Sequence, residues 1–286
     1  MKLVDRLYSR VSSHGHVCLG LDTDYGYLPQ DFAQSFSSHA DAVYEFNRQI
    51  IDNTLDVTAC YKVQIAYYEA LGLAGLEAYA KTLKYLRDKN AIVIADIKRG
   101  DIAKTAEMYA EAHYAGDFEA DFLTLNPYMG MDTLTPFLPW MKDSDKGAFI
   151  LVATSNPGAS DVEGLISDGI SVSERVGGMI SEIAAQYMGE CRYSQLGAVV
   201  GCTNREQTVR IRERLANLFF LIPGYGAQGG KAEDIAAYLK DGNGGIVNSS
   251  RGILLAYKNP SFAGMSFHEA AKAESIRMRD DILRCL

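Results

Sequence analysis

Asp96, Lys98, Arg99 and Asp101 crowd the segment ADIKRGDI (95–102), directly after the apolar run Ala91-Ile92-Val93-Ile94. A core strand would be expected to end in small polar residues, yet this one ends in two acids and two bases. Asp96 and Lys98 are two apart, so on a strand their side chains share one face. Opposite charges about 4 Å apart attract by roughly 4 kcal/mol at an effective dielectric of 20, enough to keep both ionised. Lys62 ends an earlier apolar run and supplies a second cation. An alternating array of Lys62, Asp96, Lys98 and Asp101 could stabilise anionic charge as it develops in a reaction. A surface salt-bridge cluster at a helix start would use the same residues without chemistry.

Eight short runs rich in apolar and β-branched residues could position such groups: 16–22, 59–64, 91–98, 121–127, 147–155, 196–203, 218–226 and 244–250. Most are continuous rather than alternating, as strands of a parallel sheet covered on both faces are. The segments between them carry helical spacing. Val43, Phe46 and Ile50 step by three and four, and Leu76, Tyr79, Leu83 and Leu86 make a core-facing stripe. Ser171 opens another helical run, and Ser266 is a candidate N-cap for a closing amphipathic helix. Eight βα units in a chain of 286 residues are what a (β/α)8 TIM barrel requires, with a doubly wound open sheet as the alternative. No linker or composition shift divides the chain, so residues 1–286 are read as one α/β domain.

In a barrel the C-terminal strand ends converge on one mouth, where catalytic groups collect. Those positions hold Asp22, Lys62, Asp96 with Lys98, Asn126, Ser155, Thr203 with Asn204, the segment Gly224 to Gly230, and Asn248 with Arg251. The stretch GYGAQG (224–229) fits the dinucleotide fingerprint GxGxxG, but it falls in the seventh unit and no acidic residue ends the next strand. A phosphate site after strands seven and eight fits better. Its glycines would let backbone N–H groups approach, and Arg251 would supply a forked cation. The basic run 205–215 is read as a solvated helix face, with a further substrate role for Arg205 as the alternative.

The segment DIKRGDIAKT (96–105) resembles the D-x-K-x-x-D-I-x-x-T signature of the orotidine 5′-phosphate decarboxylase family. Other segments agree in order across roughly residues 17 to 255: LGLD (19–22), YKVQIAYYE (61–69), TSNPGA (154–159), PGYGAQGG (223–230) and SSRG (249–252). The length and the wording ADIKRGDI look most like the longer bacterial subgroup. Val63 departs from the pattern, which has Pro after the lysine.

The resemblance implies decarboxylation of orotidine 5′-monophosphate to UMP and CO2 without a cofactor, ending de novo pyrimidine nucleotide biosynthesis. Lys98 would donate the proton to C6, with Asp96, Lys62 and Asp101 completing the catalytic array. Substrate would be held by Asp22 at the ribose, Ser155 at the pyrimidine, and Gln228, Gly226 and Arg251 at the phosphate. It also implies a homodimer with shared active sites, in which Asp101 and Thr105 enter the neighbouring subunit's site. The nearer rival is a sugar-phosphate lyase or aldolase with a similar D-x-K-x-x-D motif and a magnesium-bound enediolate. A regulatory barrel that has lost catalysis is the other.

Composition narrows the field. A net charge of −8 argues against nucleic-acid and acidic-membrane binding. Five scattered cysteines without a CxxC pair suggest reduced thiols in a cytoplasmic protein, and no metal-ligand cluster is evident. The apolar runs are far below the ~20 residues a membrane span needs, and charges interrupt the N-terminus before a signal-like segment forms. The chain is expected to stand alone rather than fused to another pyrimidine enzyme.

Overall fold

The apolar runs form eight strands: β1 (Val17–Gly20), β2 (Cys60–Gln64), β3 (Val93–Arg99), β4 (Phe122–Leu125), β5 (Gly147–Ala153), β6 (Ser194–Val200), β7 (Leu218–Ile222) and β8 (Gly245–Ser249). The structure is a computed structural model that describes residues 1–201, 205–225 and 232–286, with backbone alone at 205–208. Neighbouring strands run parallel, and β1 pairs with both β2 and β8 through Cys18↔Cys60 and Cys18↔Asn248. That pairing closes the sheet into a (β/α)8 TIM barrel and removes the open-sheet alternative.

Strand periodicity sorts the side chains. Those facing outward meet the surrounding helices, where Val43, Phe46 and Ile50 of helix His39–Thr54 are buried, as are Tyr79, Leu83 and Leu86 of helix Gly72–Asp88. Inward positions fill the barrel with Cys18, Cys60, Ile94, Phe122, Phe149, Val199, Leu221 and Ile246. Two glycines make room for the rings: a Cβ on Gly147 would fall 2.3 Å from Phe122, and one on Gly197 would fall 2.8 Å from Phe149.

The N-terminal segment, expected only to lack a targeting signal, forms helix Leu3–His14. Its Leu3, Val4, Leu7 and Val11 join the interior cluster, away from the polar mouth. Each such side chain contributes roughly 1.5–3 kcal/mol when fully buried, so this helix is an integral part of the barrel core.

Ser171 and Ser266 both cap helices as expected. The Ser266 hydroxyl accepts from Glu269 N at 3.4 Å, while the Glu269 carboxylate accepts from Ser266 N at 2.9 Å, a reciprocal capping box. A small antiparallel ribbon, Ile166–Ser167 with Ile170–Ser171, interrupts the loop after β5 and was not anticipated.

Helix Arg205–Arg214 exposes Val209, Arg210, Glu213 and Arg214, as a solvated face does, but Arg212 departs from that reading. Arg212 is buried because its guanidinium spans the base of the barrel wall. It donates to the carbonyls of Leu215, Leu218 and Gly244 and stacks 3.7 Å over Phe220. Burial lowers its pKa to about 10. Among the described residues no helix is long and apolar enough to cross a membrane.

Candidate active site

The alternation that fills the barrel also delivers polar groups to its mouth. Along β3 the inward series Ile92, Ile94 continues to Asp96; along β2, Cys60 continues to Lys62; along β4, Phe122 continues to Thr124; along β8, Ile246 continues to Asn248. Asp22 lies just beyond β1. These side chains meet where the apolar interior ends.

They form a chain of ion pairs. Lys62 Nζ donates to Asp22 Oδ1 at 2.8 Å and to Asp96 Oδ2 at 2.9 Å, and Lys98 Nζ donates to Asp96 Oδ1 at 2.6 Å. The Ser250 hydroxyl extends the chain with a 2.9 Å bond to Asp22 Oδ2. Lys62 and Asp96 are only 6% exposed at their side chains, whereas Lys98 is 47% exposed. Burial alone would lower the Lys62 pKa, but Asp22 and Asp96 raise it above the ordinary lysine value. Burial would likewise push Asp96 up, yet the two ammoniums hold it below the usual carboxylate range. Both groups are therefore charged at neutral pH, and the accessible member of the chain is Lys98.

Lys98 stands on distorted backbone. Its φ is +45°, a left-handed conformation uncommon outside glycine, asparagine and aspartate, and the β3–β4 register shifts between Ala95 and Arg99. Such strain costs on the order of 1–3 kcal/mol and concentrates at functional sites. The Thr124 hydroxyl accepts from Lys98 N at 3.0 Å and donates to Asp96 Oδ1 at 2.8 Å.

Two hollows open above these charges. The inner, about 280 Å³, has Leu151, Val199 and Leu221 as apolar walls and Ser155 at its edge. The outer, about 390 Å³, is lined by Asp22, Tyr27, Gln64, Tyr67, Ser250 and Arg251. Lys62, Asp96, Lys98, Pro223 and Asn248 line both, making one cleft with an apolar slot, a charged floor and a cationic outer end. An elongated anion with a flat apolar ring suits this shape.

The structure thus brings together Lys62, Asp96, Lys98, Asp22, Ser155 and Arg251. Asp101 and Thr105 lie elsewhere within the chain: the Asp101 carboxylate accepts from the adjacent Ile102 N at 2.8 Å, and Thr105 is exposed. Among the described residues Asp101 forms no ion pair with the array of its own chain, and Asp22 is the second carboxylate on Lys62. Asn126 is exposed and outside the cleft, and Thr124 is the inward residue of β4 instead. Gln228, Gly226, Thr203 and Asn204, and the side chain of Arg205, lie outside the described residues. Sequence reasoning passed over Thr124, Ser250, Tyr27 and Tyr67. Only the period-two placement of Thr124 after Phe122 could have signalled one of them. No group of three or more His, Cys, Asp or Glu suited to a metal ion occurs among the described residues.

Comparison with known proteins agrees with this geometry. Residues 15–265 match the family model described as "Orotidine 5'-phosphate decarboxylase / HUMPS family". The chain is 57% identical over 283 residues to the orotidine 5′-phosphate decarboxylase of Clostridium kluyveri, covering 99% of this chain and 97% of that protein. It is also 57% identical over 285 residues to that of Clostridium acetobutylicum, covering 99% and 100%. Among solved structures it is similar to the OMP decarboxylase of Leishmania donovani, with a TM-score of 0.78 at 27% identity, covering 100% of this chain and 98% of that one.

Proposed function

The chain belongs to the orotidine 5′-phosphate decarboxylase family, and from that premise we propose how its residues carry out the reaction. It is a carboxy-lyase that converts orotidine 5′-monophosphate to UMP in pyrimidine biosynthesis. The observation that carries the residue assignment is the Asp22–Lys62–Asp96–Lys98 ion-pair chain, buried at Lys62 and Asp96 and accessible at Lys98, on the floor of a cleft with Arg251 at its other end.

Loss of CO2 from C6 leaves an electron pair in the plane of the pyrimidine, outside the ring's π system. Fixed positive charge must stabilise that pair until a proton reaches it. Lys98 does both as the accessible ammonium, first as the countercharge and then as the general acid that donates its Nζ proton to C6. Asp96, held ionised by two lysines, faces the departing carboxylate. Lys62 fixes Asp96 and Asp22, and the Asp22–Lys62 pair meets the ribose hydroxyls. Ser155 contacts the pyrimidine edge in the apolar slot. Arg251 binds the phosphate together with Gln228 and Gly226, and that remote binding energy is used in reaching the transition state. The chemistry uses no cofactor.

The active unit is a homodimer of single-domain chains, residues 1–286, working in the cytoplasm. Asp101 and Thr105 reach the cleft of the second copy and bind its ribose hydroxyls. Supporting this, the rim that carries them also exposes Ile102, Met108, Tyr128 and Met129, apolar surface of the kind that marks an interaction site. The segments after β3 and β4 that lead into these residues are adjacent, since Asn126 N donates to Arg99 O at 2.8 Å.

Ultraviolet absorbance of orotidine 5′-monophosphate with purified protein in excess EDTA tests the cofactor-free reading. Conversion to UMP supports it, and activity that appears only with added magnesium would replace it with metal-assisted chemistry.

A further inference from the structure

We propose that Thr124 is a positioning residue, whose single hydroxyl sets both the backbone of Lys98 and the carboxylate of Asp96. The inference rests on Lys98 and Asp96 being the reacting pair. Thr124 is 2% exposed and sits on the strand beside the distortion in β3. The hydrogen-bond roles are fixed by chemistry: an ionised carboxylate only accepts, so the one hydroxyl proton goes to Asp96 and a lone pair takes Lys98 N–H. The two bonds, 2.8 Å and 3.0 Å, are both of full strength in geometry.

The need for this hydroxyl follows from the bulge. Register between β3 and β4 holds at Ala95↔Leu123 and resumes at Arg99↔Leu125, leaving Lys98 between them in the left-handed region. Lys98 N–H is then bound by a side chain rather than by a strand carbonyl. That side chain also holds the rotation of Asp96, whose Oδ1 receives both Thr124 and Lys98 while Oδ2 receives Lys62. One hydroxyl therefore relates the direction from which the ammonium approaches to the plane of the carboxylate. Removing it frees both at once while leaving the ribose and phosphate ends of the cleft untouched.

Thr124→Val keeps the volume and removes both bonds, and Thr124→Ser keeps the hydroxyl and removes a methyl. The readouts are kcat and KM for orotidine 5′-monophosphate, and the Kd for UMP by calorimetry. A misplacement of about 1 Å can cost roughly 100-fold in rate, so Thr124→Val is expected to lose about 100-fold in kcat. Its KM and UMP Kd should stay within about threefold, and Thr124→Ser should keep kcat within about threefold of wild type. Should the Val variant not fold, Thr124→Ala is measured in its place with the same expectation. A kcat within about threefold of wild type in the hydroxyl-free variant overturns the proposal. So does a Ser variant as impaired as Val, which would make the methyl's packing the cause. Failure of the underlying assignment is distinguishable, since it appears as an active Lys98→Ala variant whatever Thr124 does.

Discussion

Lys62 and Asp96 form a 2.9 Å ion pair in which both side chains are 6% exposed, joining β2 to β3 at the inner edge of the cleft. Removing one member of such a pair typically costs about 3–5 kcal/mol, because the other is left buried and uncompensated. Lys62→Met leaves Asp22 and Asp96 facing each other without their shared cation. Urea unfolding at pH 7 should show that loss for the variant, and equal midpoints would contradict the assigned burial. The pH dependence has a definite sign. Asp96 is depressed in the fold, so its contribution is present above the unfolded value near 4 and is lost as pH falls through its lower folded value. Lys62 is raised, so its contribution is present below the unfolded value near 10.4 and is lost as pH rises through its higher folded value.

Arg251 lies at the outer end of the cleft, remote from the apolar slot. Hydrogen bonds to charged groups contribute about 1.5–3 kcal/mol, so Arg251→Ala should lower kcat/KM for orotidine 5′-monophosphate roughly 10- to 100-fold. The same variant should be indistinguishable from wild type toward orotidine, which lacks the phosphate. An equal loss on both substrates would place Arg251 away from the phosphate.

The proposal that two subunits share their sites makes a qualitative demand on subunit mixing. Lys98→Ala and Asp101→Ala should each be inactive alone. In a dimer combining them, one cleft carries both defects and the other carries neither. Unfolding and refolding an equimolar mixture should restore roughly a quarter of wild-type activity, the share of native clefts expected from random pairing. No recovery, with dimers present by light scattering, would place Asp101 in its own subunit's cleft, and an active Asp101→Ala variant on its own would place it outside catalysis.

His113 is buried on helix Ala103–Tyr114, stacked against Phe118, and its Nδ1 has no hydrogen-bond partner among the described residues. Burial first, then the nearby Arg99 charge, lowers its pKa to about 4. Because the fold favours the neutral ring, stability is lost as pH falls from the unfolded value near 6.5 toward 4, by on the order of 3 kcal/mol. His113→Phe should reduce the drop in Tm between pH 7 and pH 5 relative to wild type. An identical drop in both would assign acid sensitivity to other groups.

Much of this architecture is legible in the residues. Apolar runs, most of them continuous, mark all eight barrel strands because strands covered on both faces have no polar side to show. The charged residues of 95–102 stand out because core strands seldom end that way. What escapes is whatever depends on three-dimensional registration. Helix Leu3–His14 carries its apolar stripe on Leu3, Leu7 and Val11, but nothing local says that the stripe meets the barrel interior. Arg212 sits in a basic run that reads as solvated, and only the carbonyls of Leu215, Leu218 and Gly244 around it explain its burial. Thr124 is an ordinary strand residue until the bulge beside it leaves Lys98 N–H to be bound. The pairing of Lys62 with Asp22, forty residues apart, is likewise set by the closure of β1 against β2 and by nothing local in the sequence.

The assignment of Lys98 as countercharge and proton donor is tested most directly by following the absorbance of orotidine 5′-monophosphate with wild-type protein and Lys98→Ala, both in excess EDTA. The wild-type protein should convert the substrate to UMP, while the variant, folded by circular dichroism and still binding UMP, should show no turnover. Near-normal conversion by Lys98→Ala would contradict the assignment and leave another group to protonate C6.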